Sequence, residues 1–349
     1  MRKITKKEKA FIQYGFLLFL IGLTTYLVST TLDIKLIPKI IKIVNIKYIL
    51  LGFLLILIYI LFEAIIIKLI INAIQKTKVN FIGLKLATMG FYYNLVTPFA
   101  SGSQPIQIYT LMKYDISFSK SIAIITNKTV IFQSIVTIYC GYLVMMNMNL
   151  LRSEMPSIMI LVSAGMIMNI SMLLCGLLIV FSPNKIKIIA NFLINMLTKF
   201  KIFRVLDGKK EQLNSYIDEY NSSIKLFIKD KGALFKSLIL TILQLTVYFS
   251  IVYCVYKAFN LNGASYLQIL TLQVFLYMAI SPIPTPGNVG ANELAFLTIF
   301  SDIFPKELMG YSVFLYSGFV YYLIIIISGI YTIFTHYSIG NVQKKKIKV

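Results

Sequence analysis

The chain has no tryptophan, one histidine (His336) and three cysteines, Cys140, Cys175 and Cys254, each alone in an apolar stretch. Without paired Cys or Cys/His spacing there is no framework for structural disulfides, zinc or haem, and no cofactor or metal is expected. No P-loop, HExxH or GxSxG string occurs, which argues against direct nucleotide hydrolysis within this chain. Charge is also scarce: 13% of the 349 residues are charged, against about 25% in an ordinary soluble domain. Acidic residues are the rarer sign, 13 against 34 Lys and Arg, giving +21. Thirty-one of those 34 are Lys, so codon bias contributes to the excess. What fills the chain is apolar, 58% of residues with a mean hydropathy of +0.80. A bilayer, rather than nucleic acid, is therefore the expected partner.

A membrane-spanning helix needs about 20 apolar residues. Six segments qualify: Phe11–Leu32, Tyr48–Ile71, Ser121–Met146, Ser157–Phe181, Ala233–Phe259 and Met309–Tyr337. The first is too long for a signal-peptide core and lacks an A-x-A end, so it reads as an uncleaved span. Two further apolar runs, Phe81–Val96 and Tyr266–Ile280, stop at Pro/Gly clusters and resume as Ile106–Met112 and Ala291–Phe304. Proline removes a backbone donor and glycine frees the chain, so each run must break there. The expected fold is an all-α polytopic membrane protein with six full spans and two broken or re-entrant helix pairs, about eight hydrophobic crossings in all.

Segments 1–10, 72–80, 113–120, 182–232 and 344–349 carry 23 Lys and Arg, whereas 33–47, 148–156, 260–265 and 302–308 carry 6. The positive-inside rule then places both termini in the cytoplasm. The stretch 33–47, with four lysines, is the awkward outer loop and reads as a short surface helix. With this orientation the chain is a single membrane domain over 1–349, whose second half (157–349) repeats the first (1–156) upside down. Both breaks carry Thr-Pro-x-x-x-Gly, at Thr97-Pro98…Gly102 and Thr285-Pro286…Gly290, as expected of an inverted-repeat transporter. Two ordinary turns between short spans would give the same end topology. The cytoplasmic insertion 182–232 holds a basic amphipathic candidate around Ile186, Ile189, Phe192 and Met196, suited to an anionic leaflet, and a second helical candidate at Gln212–Lys229.

Amides left free where a half-helix begins attract anions. In the first break Pro105 suits the opening of a helix, with Ser101, Ser103 and Gln104 nearby; in the second, Asn288 and Asn292 flank a start at Gly290. A phosphate-bearing headgroup could sit between them, or these groups could simply cap the helices. Charges at membrane depth mark pathways: Glu63 lies mid-span, Lys128 follows Asn127 about two turns into the span after the first break, and Glu293 lies in the first turn after Gly290. Glu293 could pair with Lys128 or stabilise its own helix N-terminus. Glu63 and Lys68 are about 140° apart around a helix, so they are poor partners, and Glu63 is expected to face the interior.

The strings Tyr93-Asn94-Leu95-Val96-Thr97-Pro98-Phe99-Ala100-Ser101-Gly102-Ser103-Gln104-Pro105-Ile106-Gln107-Ile108-Tyr109 and Pro284-Thr285-Pro286-Gly287-Asn288-Val289-Gly290-Ala291-Asn292-Glu293 resemble the flippase-like membrane domain of lysylphosphatidylglycerol synthases, the multiple peptide resistance factor family. The likeness covers essentially the whole chain. The family's Asn-x-x-x-Pro, Gly-Gly-Gln-Pro and Pro-x-Pro-Gly-Gly-x-Gly-x-x-Glu elements fall on Asn94, Pro98, Gly102, Gln104, Pro105, Pro284, Pro286, Gly287, Gly290 and Glu293. Ser103 and Asn288 stand where a second glycine is usual.

The resemblance implies lipid transport in the cell membrane, a link to lysylphosphatidylglycerol metabolism and antibiotic resistance, and no catalysis in this domain. In bifunctional relatives a separate soluble domain transfers the aminoacyl group; here the chain stops at Val349, a dozen residues after the last span, so that domain is expected to be absent. The expected function is a flippase for a phosphate-bearing lipid, such as aminoacylated phosphatidylglycerol or a related anionic or polyprenyl-linked lipid. The alternative is a non-catalytic membrane subunit of a separate synthase, which would carry the family label phosphatidylglycerol lysyltransferase. A membrane enzyme using Glu63 or Glu293 as acid or base lacks a paired nucleophile or metal cluster. Headgroup-binding candidates are Asn94, Thr97, Pro98, Ser101, Gly102, Ser103, Gln104, Gln107, Thr285, Pro286, Gly287, Asn288, Gly290, Asn292 and Glu293, with Glu63 and Lys128 as the intramembrane charges.

Overall fold

A hydrated backbone group has no substitute partner in hydrocarbon, so apolar runs of this length must close their hydrogen bonds within the segment. The computed structural model describes residues 37–98, 101–182, 187–188, 192, 196 and 210–346, and among them the regular structure is helical. The helices are α1 (Ile37–Ile43), α2 (Ile46–Ile74), α3 (Ile82–Val96), α4 (Ser103–Lys113), α5 (Phe118–Met146), α6 (Met148–Ser153), α7 (Pro156–Phe181), α8 (Lys210–Lys229), α9 (Lys231–Phe249), α10 (Ile251–Ala258), α11 (Tyr266–Ile280), α12 (Ala291–Ile299), α13 (Lys306–Ser317) and α14 (Ile324–Lys346). Five continuous stretches are long and apolar enough to cross a membrane: Ile46–Ile74, Phe118–Met146, Pro156–Phe181, Lys231–Ala258 and Lys306–Gly340. They coincide with five of the six expected spans. The sixth, Phe11–Leu32, and most of the basic amphipathic segment after Ser182 lie outside the described residues. Helix α1 falls in the Lys-rich stretch 33–47, and α8 covers the second candidate of the insertion.

Side chains set the starts of several helices. Asn45, Ser117, Asp230 and Ser265 accept from the amides of Lys47, Lys120, Ala233 and Gln268 at 3.2, 3.3, 2.9 and 3.2 Å, satisfying donors that a helix start leaves open. Between α9 and α10 the Ser250 hydroxyl donates back to Thr246 O at 2.7 Å, a contact that commonly bends helices. Between α13 and α14, Gly318–Leu323 winds as a π-helix, a form that recurs at functional sites.

Both expected breaks exist. Helices α3 and α11 have 15 residues each, about 22 Å of rise, too short for a hydrocarbon core of about 30 Å. Their partners α4 and α12 are shorter still, 11 and 9 residues. Helix α4 folds back on α3: the Gln107 amide donates to Leu86 O at 2.8 Å, and Ser103 lies beside Gly90. It begins at Ser103, so Pro105 is its third residue rather than its first. Helix α12 ends at Ile299 rather than Phe304, because Ile303 and Phe304 turn back onto the Phe300 carbonyl.

The long helices surround these pairs. Helix α2 packs on α3, α5, α9 and α10, α7 on α5 and α11, and α14 on α3. Small residues allow the closest approaches. A Cβ at Gly83 would sit 2.1 Å from Ala64 O, and one at Gly165 would sit 2.0 Å from Met278 O. Beyond Gly165, Asn169 of α7 accepts from Gln133 of α5 at 2.7 Å and donates to Ser281 at 3.0 Å, fastening the end of α11 to two spans.

Candidate functional site

The two breaks meet. At the second, Gly287 and Asn288 take φ of 59° and 56°, in the left-handed region where glycine and then asparagine are best tolerated. Asn288 thus keeps a backbone form that the motif usually assigns to glycine. A Cβ on Gly287 would lie 2.4 Å from the Tyr321 ring and 3.0 Å from Leu95 O, so this glycine lets the second break rest on the end of α3. Between them is a cavity of about 110 Å³, with a polar wall of Asn94, Thr285, Asn288 and Asn292. Leu95, Tyr248, Ile280 and Val320 supply its apolar side, and Gly287 its backbone. The volume equals a few waters at about 30 Å³ each and lies below the roughly 300 Å³ of a small-molecule pocket. It has room for a small polar group and not for a larger molecule.

Part of the polar wall is unsatisfied. Asn94 Oδ1, Thr285 Oγ1 and Asn292 Oδ1 are buried without a hydrogen-bond partner. Leaving such an atom unpaired costs about 1–3 kcal/mol, and groups of this kind mark a place for water, an ion or a ligand. Asn94 Oδ1 and Asn292 Oδ1 accept only, whereas the Thr285 hydroxyl can donate or accept, so as placed the wall calls for donors such as water, a hydroxyl or an ammonium, and meets a phosphate oxygen through Thr285 or through an amide turned over.

Most other candidates from the first break are occupied by the chain itself. Thr97 Oγ1 donates to Tyr93 O at 2.6 Å and accepts from the Gly102 amide at 2.9 Å. Ser101 donates to Pro98 O, Ser103 is buried beside Gly90, and Gln107 is wholly buried with its amide on Leu86 O. Gln104, Pro98 and Pro286 are exposed. These groups stabilise the hairpin tip; Asn94 is the polar residue of the first break that reaches the cavity, beside Leu95.

The second break corrects a further expectation. The amide at Gly290, where φ is 82°, is not free for an anion, because Glu293 Oε2 accepts from it at 2.6 Å. The other oxygen, Oε1, accepts from the Ser317 hydroxyl at 2.7 Å. Glu293 is therefore an N-terminal cap that ties α12 to the end of α13, and it does not pair with Lys128.

Lys128 instead binds Glu63, with Nζ 2.5 Å from Oε1. Gln244 of α9 donates to the other Glu63 oxygen at 3.0 Å. Glu63 is 6% exposed, as its helical position relative to Lys68 requires, while Lys68 is exposed. Tyr248, Val320 and Ser317 carry no motif. Their place at the site follows from packing alone, although Tyr248 lies one turn beyond Gln244 on α9.

Searches of curated proteins and of solved structures return no match to the chain. A family model does match: the description "Lysylphosphatidylglycerol synthase TM region" covers residues 12–328, a range that includes both broken pairs, the cavity and the buried charge pair. The chain is thus a membrane protein of the lysylphosphatidylglycerol synthase transmembrane-region family.

Proposed function

We propose that the protein is a lipid translocase. It would move a phosphate-bearing lipid, such as aminoacylated phosphatidylglycerol or a related anionic or polyprenyl-linked lipid, between leaflets of the cell membrane. The supporting observation is the cavity between two broken helices, with three buried polar atoms that no protein group satisfies. Broken helices at membrane depth are how transporters present backbone and polar side chains to a substrate. In this reading the headgroup reaches Asn94, Thr285 and Asn292 while the acyl chains remain in lipid. The two halves are inverted copies that rock about the site, both termini are cytoplasmic, and the chain carries lipid without modifying it.

The test is headgroup accessibility in proteoliposomes containing phosphatidylglycerol, its lysyl ester or a polyprenyl phosphate. Protein-dependent movement of one of these, reduced at least tenfold in the Asn94→Leu/Asn292→Leu variant with its helical content unchanged, is the expected result. If folded wild-type protein moves none of them, the carrier reading is refuted, and activity appearing only with an added synthase would identify a partner subunit.

A further inference from the structure

An anionic headgroup at this depth needs a counter-charge, and the cavity offers none. Asn94, Thr285, Asn288 and Asn292 are neutral, and the nearby carboxylate of Glu293 has the wrong sign. A cation with 14% of its side chain exposed, Lys128, is neutralised by Glu63. Glu63 lies 11 residues before the end of α2 and Lys128 ten after the start of α5. At 1.5 Å per residue both are about 15 Å from one end of a helix about 43 Å long, which places them inside a hydrocarbon core of about 30 Å centred on that helix.

An ion pair at that depth is a poor structural device, since burying it roughly cancels its attraction and apolar side chains serve as well. Its apolar neighbours on α2, Ile56, Ile60, Ile66 and Ile67, are packed that way. The cluster also adjoins the cavity. Gln244 lies one turn before Tyr248, which lines it, and Glu63 lies one turn after Tyr59, whose ring centre is 5.1 Å from that of Tyr248.

Gln244 can serve two protonation states. Its Nε2 donates to the Glu63 carboxylate, while its Oε1 is buried without a partner. Turning the amide over would place that oxygen as acceptor for a carboxylic acid O–H.

We propose that Glu63, Lys128 and Gln244 form a proton-binding site that makes the cavity receptive to an anionic lipid headgroup. The proposal rests on the carrier reading for its ligand but not for its proton. Glu63 takes one proton from water, forming an O–H bond. The cluster passes from neutral to +1, carried by the Lys128 ammonium, and one headgroup charge of −1 restores neutrality.

Among the described residues, the other titratable or charged groups on the surrounding elements include Tyr139 and the buried Cys140 on α5 and the buried Cys254 and Tyr256 on α10. Tyr59 lies on α2, Tyr248 on α9 and, beyond it, Tyr277 on α11 with ring centres 6.3 Å apart. Lys68 and Lys236 are exposed. Lys85 of α3 lies over the Tyr114 ring, and Lys257 of α10 donates to Leu261 O and Asn262. On α8, Asp218 pairs with Lys187, Glu219 accepts from Ser117, Tyr220 is buried, and Glu211, Lys225 and Lys229 are exposed.

The experiment adds short-chain phosphatidylglycerol or a polyprenyl phosphate to purified protein in weakly buffered detergent containing a pH indicator. Infrared difference spectra across a pH titration follow the carboxylic acid band. Uptake of about one proton per lipid bound is expected, with a band that Glu63→Gln removes. That variant, a fixed mimic of the protonated state, should bind lipid without uptake and independently of pH. Lys128→Gln should lose binding of the anion, and covers the case in which Glu63→Gln does not fold. Lipid binding without proton uptake would overturn the proposal and leave the carrier reading intact. If neither lipid binds, these two are not the cargo and the spectra decide alone: a titrating band absent from Glu63→Gln supports the proton site, and no such band refutes it.

Discussion

Substituting alanine for Gly165 tests how closely the bundle is packed around the second break. The added Cβ would lie 2.0 Å from Met278 O and 2.8 Å from Met278 C, both backbone atoms that no rotamer change can move. Relief to ordinary contact requires α7 and α11 to separate by roughly 1.4 Å, and overpacking of this kind costs about 1–3 kcal/mol. The same separation breaks the bond from Asn169 to Ser281, 3.0 Å long and one turn away, adding about 0.6 kcal/mol, the average for interhelical hydrogen bonds in membranes. The expected loss is about 2–4 kcal/mol. Two other glycines are controls. At Gly141 the new Cβ meets only the flexible end of Met166, at 3.2 Å, and at Gly310 it meets nothing within 4 Å. Alanine should be nearly neutral at Gly141, and at Gly310, inside α13, stabilising by about 0.4–1 kcal/mol. Unfolding by an anionic detergent in mixed micelles, followed by helical circular dichroism, measures all three. A Gly165→Ala protein as stable as wild type would refute the close approach.

Glu63→Leu should destabilise by about 3 kcal/mol, the low end for a broken buried pair, because it leaves the partly buried Lys128 unpaired, whereas Glu63→Leu/Lys128→Leu should recover most of that loss. The same detergent titration reads both, and equal losses in the single and double variants would contradict the pairing. A double-mutant cycle on Glu293→Ala and Ser317→Ala should return a coupling of about 1–2 kcal/mol for their charged hydrogen bond; additive losses would remove the link between α12 and α13.

The sequence shows clearly what the solvent dictates. In hydrocarbon a run such as that within Lys231–Ala258 has no alternative to helix, so the described spans match their expected positions within a few residues. The interruptions were equally legible, because proline and glycine act locally. Glu63 could be assigned to the interior from helical angles, but not its partner, since Lys128 comes from another helix and the choice between Glu63 and Glu293 depends on tertiary packing. Glu293 left a local signal, three residues after the Gly290 cap, the spacing of a capping box. Gln107 and Ser103 were misleading because a polar residue that fastens a hairpin inside a membrane has the same composition as one that binds a headgroup. Tyr248 left no signal, because nothing in its segment distinguishes a cavity wall from a packed tyrosine.

The shared string also behaves differently in the two breaks, and the reason lies in one residue. In the first, Thr97 accepts from the amide of Gly102, five residues on. Thr285 has the same spacing to Gly290, yet its hydroxyl is unpartnered and its residue lines the cavity, because Glu293 caps Gly290 instead. The position three after the glycine is Glu293 in one break and Pro105 in the other, and proline has no side-chain acceptor. Glu293 thus leaves the Thr285 hydroxyl unpartnered on the cavity wall. Removing the carboxylate with Glu293→Ala should let Thr285 fall back onto the Gly290 amide, as Thr97 does on Gly102, and withdraw it from the cavity. Lipid binding should then weaken about as much as in Thr285→Val, and the Glu293→Ala/Thr285→Val protein should bind no worse than either single variant. Losses in binding that add in the double variant would show that the two residues act separately, and undisturbed binding in Glu293→Ala would show that the cap does not position the wall.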